Sequence, residues 1–324
     1  MPQSCPVRRS RKGEPVWWHM RKSLGWDVAA AFFVTCSVTM LTDFTHRLLG
    51  ANPDSLGIIS ISTQALFVVA ATSTFTKAGS QWMQGFFSHL KIEGNSQPRW
   101  RFLLGTALFA VVCPIWIWLP SKLAQHYNTR AFNLQYLSTV PDPSREAQDY
   151  QRAVALDPNL SAAHFNLGEL YESFYQYDNA RDEYQKAIIA NHGDINSYNN
   201  LSRAFLLEGN GMEGLRVADT GLGLVNSSTA PVTLAALRKN EAWAEYILGF
   251  YEPGLRDANL SVQSQPNAAA AYCLLGKIYG KLGKTADAKA SWKKFTNLMA
   301  SPKGQQPMIE PDCIRLAEVE NETK

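Results

Sequence analysis

Residues 163–190 read AHFNLGELYESFYQYDNARDEYQKAIIA, and residues 271–295 repeat their outline as AYCLLGKIYGKLGKTADAKASWKKF. Each stretch contains a Leu-Gly pair, followed at the same spacings by tyrosine, alanine and a second aromatic residue. Residues three and four positions apart lie on one face of a helix, so each stretch predicts two consecutive helices with matching apolar faces. A helical hairpin of this kind buries its apolar face only by stacking on further copies.

Small residues stand where the two predicted helices cross. Gly168 and Gly276 follow the leucines of the first helix, and we expect them to leave room for a neighbouring backbone. Ala180 and Ala288 lie on the apolar face of the second helix, and the aromatic Tyr184 is expected to fill the groove between the helices. This spacing resembles that of the tetratricopeptide repeat (TPR) family.

Weaker copies of the pattern fill the rest of the second part of the chain. One copy has Ser202 where glycine is usual and Gly214 where alanine is usual, and another runs from about 234–266. A fifth copy at 127–158 lacks the Leu-Gly pair and is expected to act as a cap. The resemblance therefore implies an all-α fold with a TPR α-solenoid of four to five repeats at residues 124–303.

Three apolar stretches precede the solenoid, at residues 26–46, 56–75 and 102–119. A helix of about 20 residues crosses about 30 Å of hydrocarbon. Residues 26–120 therefore predict an N-terminal transmembrane helical bundle of about three spans. Residues 77–92 place aromatic side chains on one helical face, which fits a helix at the membrane interface or one packed on the spans or the repeats.

Basic residues concentrate in the first part of the chain. Residues 1–120 carry eleven Lys or Arg against five Asp or Glu, whereas residues 121–324 carry twenty against twenty-three. The overall charge of +3 is therefore no argument for nucleic acid binding. The leader at 1–25 holds six of the basic residues, which places it in the cytoplasm.

The number of spans decides the side on which the solenoid lies. Three spans put it on the non-cytoplasmic side of an inner, plasma or thylakoid membrane, and it faces the cytoplasm if the first stretch does not cross. Residues 304–324 are expected to form a capping helix and a tail.

The sequence lacks the signatures of catalytic, metal and disulfide sites. The five cysteines show neither CxxC spacing nor a Cys/His cluster, so neither a disulfide framework nor a zinc site is expected. There is no HExxH or GxSxG motif, and the glycine pair at 221–223 lies in a helical repeat rather than after a strand. We therefore expect no enzyme, no cofactor and no metal.

The resemblance implies a groove that binds another protein, because the first helices of successive repeats line a concave surface in TPR arrays. The exposed faces of those helices carry the candidate partner-binding residues Asn166, Glu169, Asn199, Arg203, Lys239, Asn240, Lys277 and Lys281. Asparagine can clamp an extended peptide backbone, and Arg or Lys can hold a carboxylate. Asn166 and Asn200 also fit a residue that is frequent in the family, and the basic residues also fit an ordinary solvated face.

Together these features predict a membrane-anchored TPR scaffold or adaptor that binds a partner protein and localises or assembles a complex. The alternative is a small oligomeric membrane pore or transport component, with the repeats as a regulatory or assembly module. Polar residues within 56–75 fit either hydrogen bonds between the helices of a bundle or the lining of a pore. Both hypotheses allow homo-oligomers through the membrane helices.

Overall fold

The computed structural model describes residues 16–50, 81, 85, 88–90, 97–139, 142–300 and 313. All regular structure in these ranges is helical, and the helices divide between two compact units before and after the bond from Asp157 to Pro158. The first unit contains α1 (Val16–Gly50), α2 (Gln97–Leu137) and α3 (Pro143–Leu156). The second unit contains α4 (Ser161–Ser173), α5 (Tyr177–Ala190), α6 (Ile195–Leu207), α7 (Gly211–Gly223), α8 (Pro231–Leu248), α9 (Tyr251–Ser264), α10 (Ala269–Lys281) and α11 (Thr285–Met299).

Helices α1 and α2 pack closely against each other. A Cβ atom added to Gly105 would lie 3.2 Å from the carbonyl oxygen of Ala30, so glycine permits the close approach of the two helices. The indole of Trp116 donates a hydrogen bond of 2.9 Å to Asp43, which satisfies a carboxylate within the first apolar stretch. Helices α1 and α2 thus form a closely packed pair with a side-chain hydrogen bond between them.

Two segments of the described ranges, Trp26–Arg47 and Arg99–Leu137, are long and apolar enough to cross a membrane, judged by length and composition. The first reaches 22 residues because the helix continues through Asp43. Large apolar side chains such as Phe32 and Trp118 are exposed on these segments. The predicted span at 56–75 lies outside the described residues.

Helix α2 continues well beyond the end of the predicted third span. It runs through Pro114 and Pro120 to Leu137, and its last turns pack on α3. Ala124 and Ala131 are fully buried there. The sequence-based boundary at residue 120 therefore lies inside a helix, and the first helix of the predicted cap repeat is the end of α2.

Between Ser161 and Met299, the second unit consists of four helical hairpins that stack in sequence order. Helix α4 pairs with α5, α6 with α7, α8 with α9, and α10 with α11, and the second helix of each hairpin packs on the first helix of the next. The first helices α4, α6, α8 and α10 also contact one another in succession. This arrangement confirms the all-α, solenoid-like fold.

The glycines at the hairpin crossings make room for an aromatic ring. A Cβ atom at Gly168 would lie 2.6 Å from the ring of Tyr184, and one at Gly276 would lie 2.6 Å from the ring of Trp292. Tyr184 is fully buried. The expectation that these glycines admit a neighbouring backbone is wrong, because the ring of the second helix takes the space.

In the copy formed by α6 and α7, a serine replaces the usual glycine and a glycine replaces the usual alanine. Ser202 stands at the glycine position, and its hydroxyl donates a buried hydrogen bond of 2.8 Å to the carbonyl of Gly214. A Cβ atom at Gly214 would lie 2.5 Å from a methyl group of Leu206. Glycine at position 214 thus makes room for Leu206, while Ser202 bonds to the backbone of α7 at the same crossing.

Cys273 and Cys313 form a disulfide, so the expectation of none from the cysteine spacing is wrong. The two residues are 40 positions apart, and no local motif marks such a pair. Both side chains are buried in a cluster with Ala269 and Phe295. Apart from Cys313, the predicted capping segment 304–324 lies outside the described residues.

Candidate functional site

The candidate site is the surface formed by the first helices of the four hairpins, which we call the groove. Its eight candidate residues lie in pairs on successive helices: Asn166 and Glu169 on α4, Asn199 and Arg203 on α6, Lys239 and Asn240 on α8, and Lys277 and Lys281 on α10. The packing of α4, α6, α8 and α10 therefore brings the pairs together in the order of the sequence.

At the α4–α6 end of the groove the charged groups are paired with each other. The guanidinium of Arg203 lies 2.6 Å from a carboxylate oxygen of Glu172, and both side chains are largely buried. The phenol of Tyr184 donates a hydrogen bond of 2.9 Å to the other oxygen of Glu172. We call this set the paired end.

The tyrosine of the paired end remains a hydrogen-bond donor at neutral pH. Burial and the nearby carboxylates of Glu172 and Glu169 raise the pKa of Tyr184 well above its usual value. Sequence analysis did not identify Glu172, although it lies on α4 three residues after the candidate Glu169. Its role depends on Arg203 from the next repeat, which no spacing within one repeat reveals.

A chain of amide side chains links three of the first helices. Asn240 on α8 donates to the backbone oxygen of Asn199 at 2.9 Å and to its side-chain oxygen at 3.0 Å. Asn199 donates to Asn200 at 3.0 Å, and Asn200 donates to Glu169 at 3.4 Å. Asn240 is fully buried, so it joins α8 to α6 and does not lie on the exposed face where the sequence places it.

At the α8–α10 end, which we call the basic end, lysines lie beside aromatic rings. The ammonium of Lys239 is 5.4 Å from the ring centre of Trp243, and that of Lys277 is 5.9 Å from the ring centre of Tyr246. Both lysines are half-buried, as is common for long side chains whose apolar stems pack on the protein. Lys281, one turn further along α10, is exposed.

The two half-buried lysines line one recess. It is shallow, with a cavity volume of about 10 Å³, and it is lined by Lys239, Trp243, Ala270, Leu274, Lys277 and Cys313. A cavity of this size holds about one water molecule. A ligand at this place would therefore lie on the surface, where two lysines beside an aromatic side chain suit a carboxylate.

A cluster of charged residues joins α8 to α9. Arg238 contacts Glu241 at 2.8 Å and Asp257 at 3.0 Å, and Arg256 contacts Asp257 at 3.1 Å. Burial and the negative charges of Asp257 and Glu241 raise the pKa of Glu245 to about 7. The sequence analysis missed this cluster, although the four-residue step from Glu241 to Glu245 places both carboxylates on one face of α8.

In the ranges that the structure describes, no group of three or more His, Cys, Asp or Glu side chains could hold a metal ion. The groove presents amide groups, positive charge and aromatic rings.

Comparison with solved structures finds proteins of low sequence identity. PilF of Pseudomonas aeruginosa is 14% identical with a TM-score of 0.47, over 63% of this chain and 87% of that chain. YrrB, described as a TPR protein with an unusual peptide-binding site, is 16% identical with a TM-score of 0.43, over 60% and 90%. MamA from Desulfovibrio magneticus RS-1 is 15% identical with a TM-score of 0.43, over 57% and 97%.

Comparison with curated protein sequences gives no match. Two family models described as Tetratricopeptide repeat match residues 149–182 and 269–298. The second match covers α10 and most of α11, and the first includes the Leu-Gly pair of α4. By these matches and by its stacked helical hairpins, the chain carries tetratricopeptide repeats.

Proposed function

We propose that the chain is a membrane-anchored TPR scaffold whose basic end captures an acidic segment or a chain terminus of a partner protein. The observation that carries the proposal is the placement of Lys239 and Lys277 on neighbouring first helices, around one recess with an aromatic wall. Arg and Lys groups bind carboxylates by charge-assisted hydrogen bonds. Two such groups on separate helices fix the direction of an extended segment.

The basic end fits this role better than Arg203 does. A carboxylate that bound Arg203 would compete with Glu172, which already lies 2.6 Å from the guanidinium. Lys239 and Lys277 lie beside the rings of Trp243 and Tyr246, and a ring contact does not occupy a lysine in the way that a carboxylate at 2.6 Å occupies Arg203. Of the sequence-based candidates, we therefore keep Lys239, Lys277 and the adjacent Lys281 as the partner-binding set, with Asn166, Glu169 and Asn199 as flanking contacts.

Charge reversal tests the groove. The variant with Lys239→Glu and Lys277→Glu is compared with a control that carries Lys186→Glu and Lys293→Glu, two exposed lysines on second helices. Partners co-purified from solubilised membranes are identified by mass spectrometry with and without a reductant. We expect the groove variant to lose proteins that the control retains. Equal recovery by both variants in both conditions would remove the proposal.

The membrane anchor is supported by the exposed apolar surfaces of α1 and α2 and by their length. For the side of the membrane we propose the non-cytoplasmic one, because a basic cytoplasmic leader followed by three spans ends there and because disulfides persist in oxidising compartments. The alternative of a membrane pore depends on the second apolar stretch, which lies outside the described residues.

Extraction and labelling test the anchor and its side. The protein should stay with membranes through alkaline and high-salt extraction, and release by salt alone would contradict an integral anchor. A Lys293→Cys variant, treated in intact cells or spheroplasts with a membrane-impermeant thiol reagent, should be labelled without lysis. Labelling that requires lysis would put the solenoid in the cytoplasm.

A further inference from the structure

The disulfide lies on the same helical face as the groove lysine of α10. Cys273 and Lys277 are separated by four residues, so they lie one above the other on α10. Cys313 is bonded to Cys273 and lines the recess together with Lys239 and Lys277. The chain therefore returns, beyond the end of α11 at Met299, to the basic end of the groove.

Cys313 fills part of that end rather than projecting from it. Its side chain is 4% exposed and belongs to the buried cluster with Ala269 and Phe295. Trp243 of α8 and Leu274 of α10 line the same recess. One residue of the C-terminal segment thus already occupies the place where a ligand would make its apolar contact.

The sequence around Cys313 has the chemistry that the basic end would bind. Residues 310–322 contain five acidic residues and a single basic one. Asp312 directly precedes the cysteine in the sequence. Lys239 and Lys277 carry the opposite charge at the same recess.

We infer that the C-terminal segment around Cys313 is a tethered occupant of the basic end, and that opening of the disulfide uncovers the groove. This inference rests on the proposed function of the groove, because the segment and the partner compete for the same two lysines. A tether of this kind gives an effective concentration of about 1 mM, so a segment with a dissociation constant of about 0.1 mM weakens partner binding roughly tenfold.

The release step is thiol–disulfide exchange with a dithiol reductant. A thiolate of the dithiol attacks one sulfur of the disulfide and forms a mixed disulfide, and its second thiolate then displaces the protein sulfur. Two electrons pass to Cys273 and Cys313, which take up two protons and become thiols, while the dithiol becomes a disulfide. The acidic segment then loses its covalent tether.

Lysine footprinting of the full chain in detergent measures whether the C-terminal segment covers the two lysines, with no partner protein present. Wild-type protein and a Cys313→Ser variant receive a short pulse of acetylating reagent, and labelling at each lysine is measured by mass spectrometry. A Cys113→Ser variant is the matched control, since Cys113 is a free cysteine of α2. We expect Lys239 and Lys277 to react several-fold faster in Cys313→Ser alone, with Lys289 and Lys293 of α11 unchanged.

A second measurement tests whether the segment needs its carboxylates to cover the lysines. A synthetic peptide of residues 306–324, with serine in place of the cysteine, should restore protection of Lys277 when added to the Cys313→Ser protein. The same peptide with its carboxylates replaced by amides should not protect. Because no partner enters these measurements, a failed footprint and a failed partner capture are separate results.

Three outcomes would overturn the inference. Equal reactivity of Lys239 and Lys277 in wild type and Cys313→Ser means that the segment does not cover them. A rise at Lys289 and Lys293 as well means that the disulfide maintains the last repeat rather than covering the groove. Equal protection by the acidic and the amide peptide means that the segment is an apolar cap and not a competitor for the lysines.

Discussion

The two ends of the groove use charged residues at equivalent places in different ways. At the paired end, Arg203 is joined to Glu172 across two repeats, and the pair is largely buried. At the basic end, Lys239 and Lys277 lie over aromatic rings with their charges at the surface of a recess. A charged residue on a first helix is therefore joined to a buried carboxylate at one end and lies beside an aromatic ring at the other.

The largest expected effect is at the paired end. Glu172→Ala should lower the free energy of unfolding by about 3–5 kcal/mol, because it leaves the largely buried guanidinium of Arg203 without its carboxylate. The phenol of Tyr184 loses its acceptor in the same change. Urea unfolding of the fragment 158–324, followed by circular dichroism, measures the difference.

The matched control is Glu208→Ala. Glu208 also pairs with an arginine across two repeats, at 2.7 Å from Arg181, but both side chains of that pair are about a quarter exposed. Its loss should cost less than about 1 kcal/mol. Similar losses for both variants would mean that burial does not distinguish the pairs, and the paired end would have no special role in stability.

A second prediction concerns the packing of α10 against α11, the hairpin that carries Lys277. Gly276→Leu should destabilise the fragment by about 1–3 kcal/mol, because its side chain must displace the ring of Trp292. Gly280 on the same helix is exposed and has no atom near an added Cβ. Gly280→Leu should therefore stabilise by about 0.5–1 kcal/mol through helix propensity. If the two variants behave alike, the assigned crossing of α10 and α11 is wrong.

The sequence predicted the hairpins well because their packing depends on residues close together in the chain. Gly276 and Trp292 occur at a fixed spacing within one repeat, so periodicity alone identifies them. Two other contacts join residues whose separations follow no repeat. They are the ion pair of Arg203 with Glu172 and the disulfide of Cys273 with Cys313. These contacts follow from the stacking of repeats and the return of the chain, which a local pattern does not contain.

The candidate site was predicted at the level of helices but not of individual side chains. The eight candidates do lie on the first helices, yet Asn240 is fully buried. Its amide nitrogen donates two hydrogen bonds to Asn199, while its side-chain oxygen is buried with no hydrogen-bond partner among the described residues. Whether a polar residue on such a helix faces solvent depends on how the neighbouring helix is rotated, and a single sequence does not give that rotation.

The pH dependence of stability tests the charged cluster that joins α8 to α9. Burial and the charges of Asp257 and Glu241 raise the pKa of Glu245 to about 7, whereas a carboxyl in the unfolded chain titrates near 4.3. The folded state therefore binds this proton more tightly, so the contribution to stability is greatest below about pH 4 and is lost as the pH rises to about 7.

Glu245→Gln should remove that loss. We expect the variant to match wild type at about pH 4 and to be more stable by about 1–2 kcal/mol at pH 8, a figure reduced for the partial exposure of the side chain. Urea unfolding of both proteins across this range gives the comparison. An equal dependence on pH in the two proteins would show that Glu245 stays charged in the folded state.

The smallest expected effect on stability is at the two half-buried lysines of the basic end, Lys239 and Lys277. Methionine keeps most of the length of a lysine stem and its contact with the ring, and removes only the charge. The double variant Lys239→Met and Lys277→Met should therefore lose less than about 1 kcal/mol, the range of cation–π contacts at partly exposed sites. Its capture of an acidic partner should nevertheless fail, since two positive charges are gone from the recess. A loss of stability as large as that of Glu172→Ala would show instead that these lysines hold the stack together, and the two ends of the groove would then serve the same structural purpose.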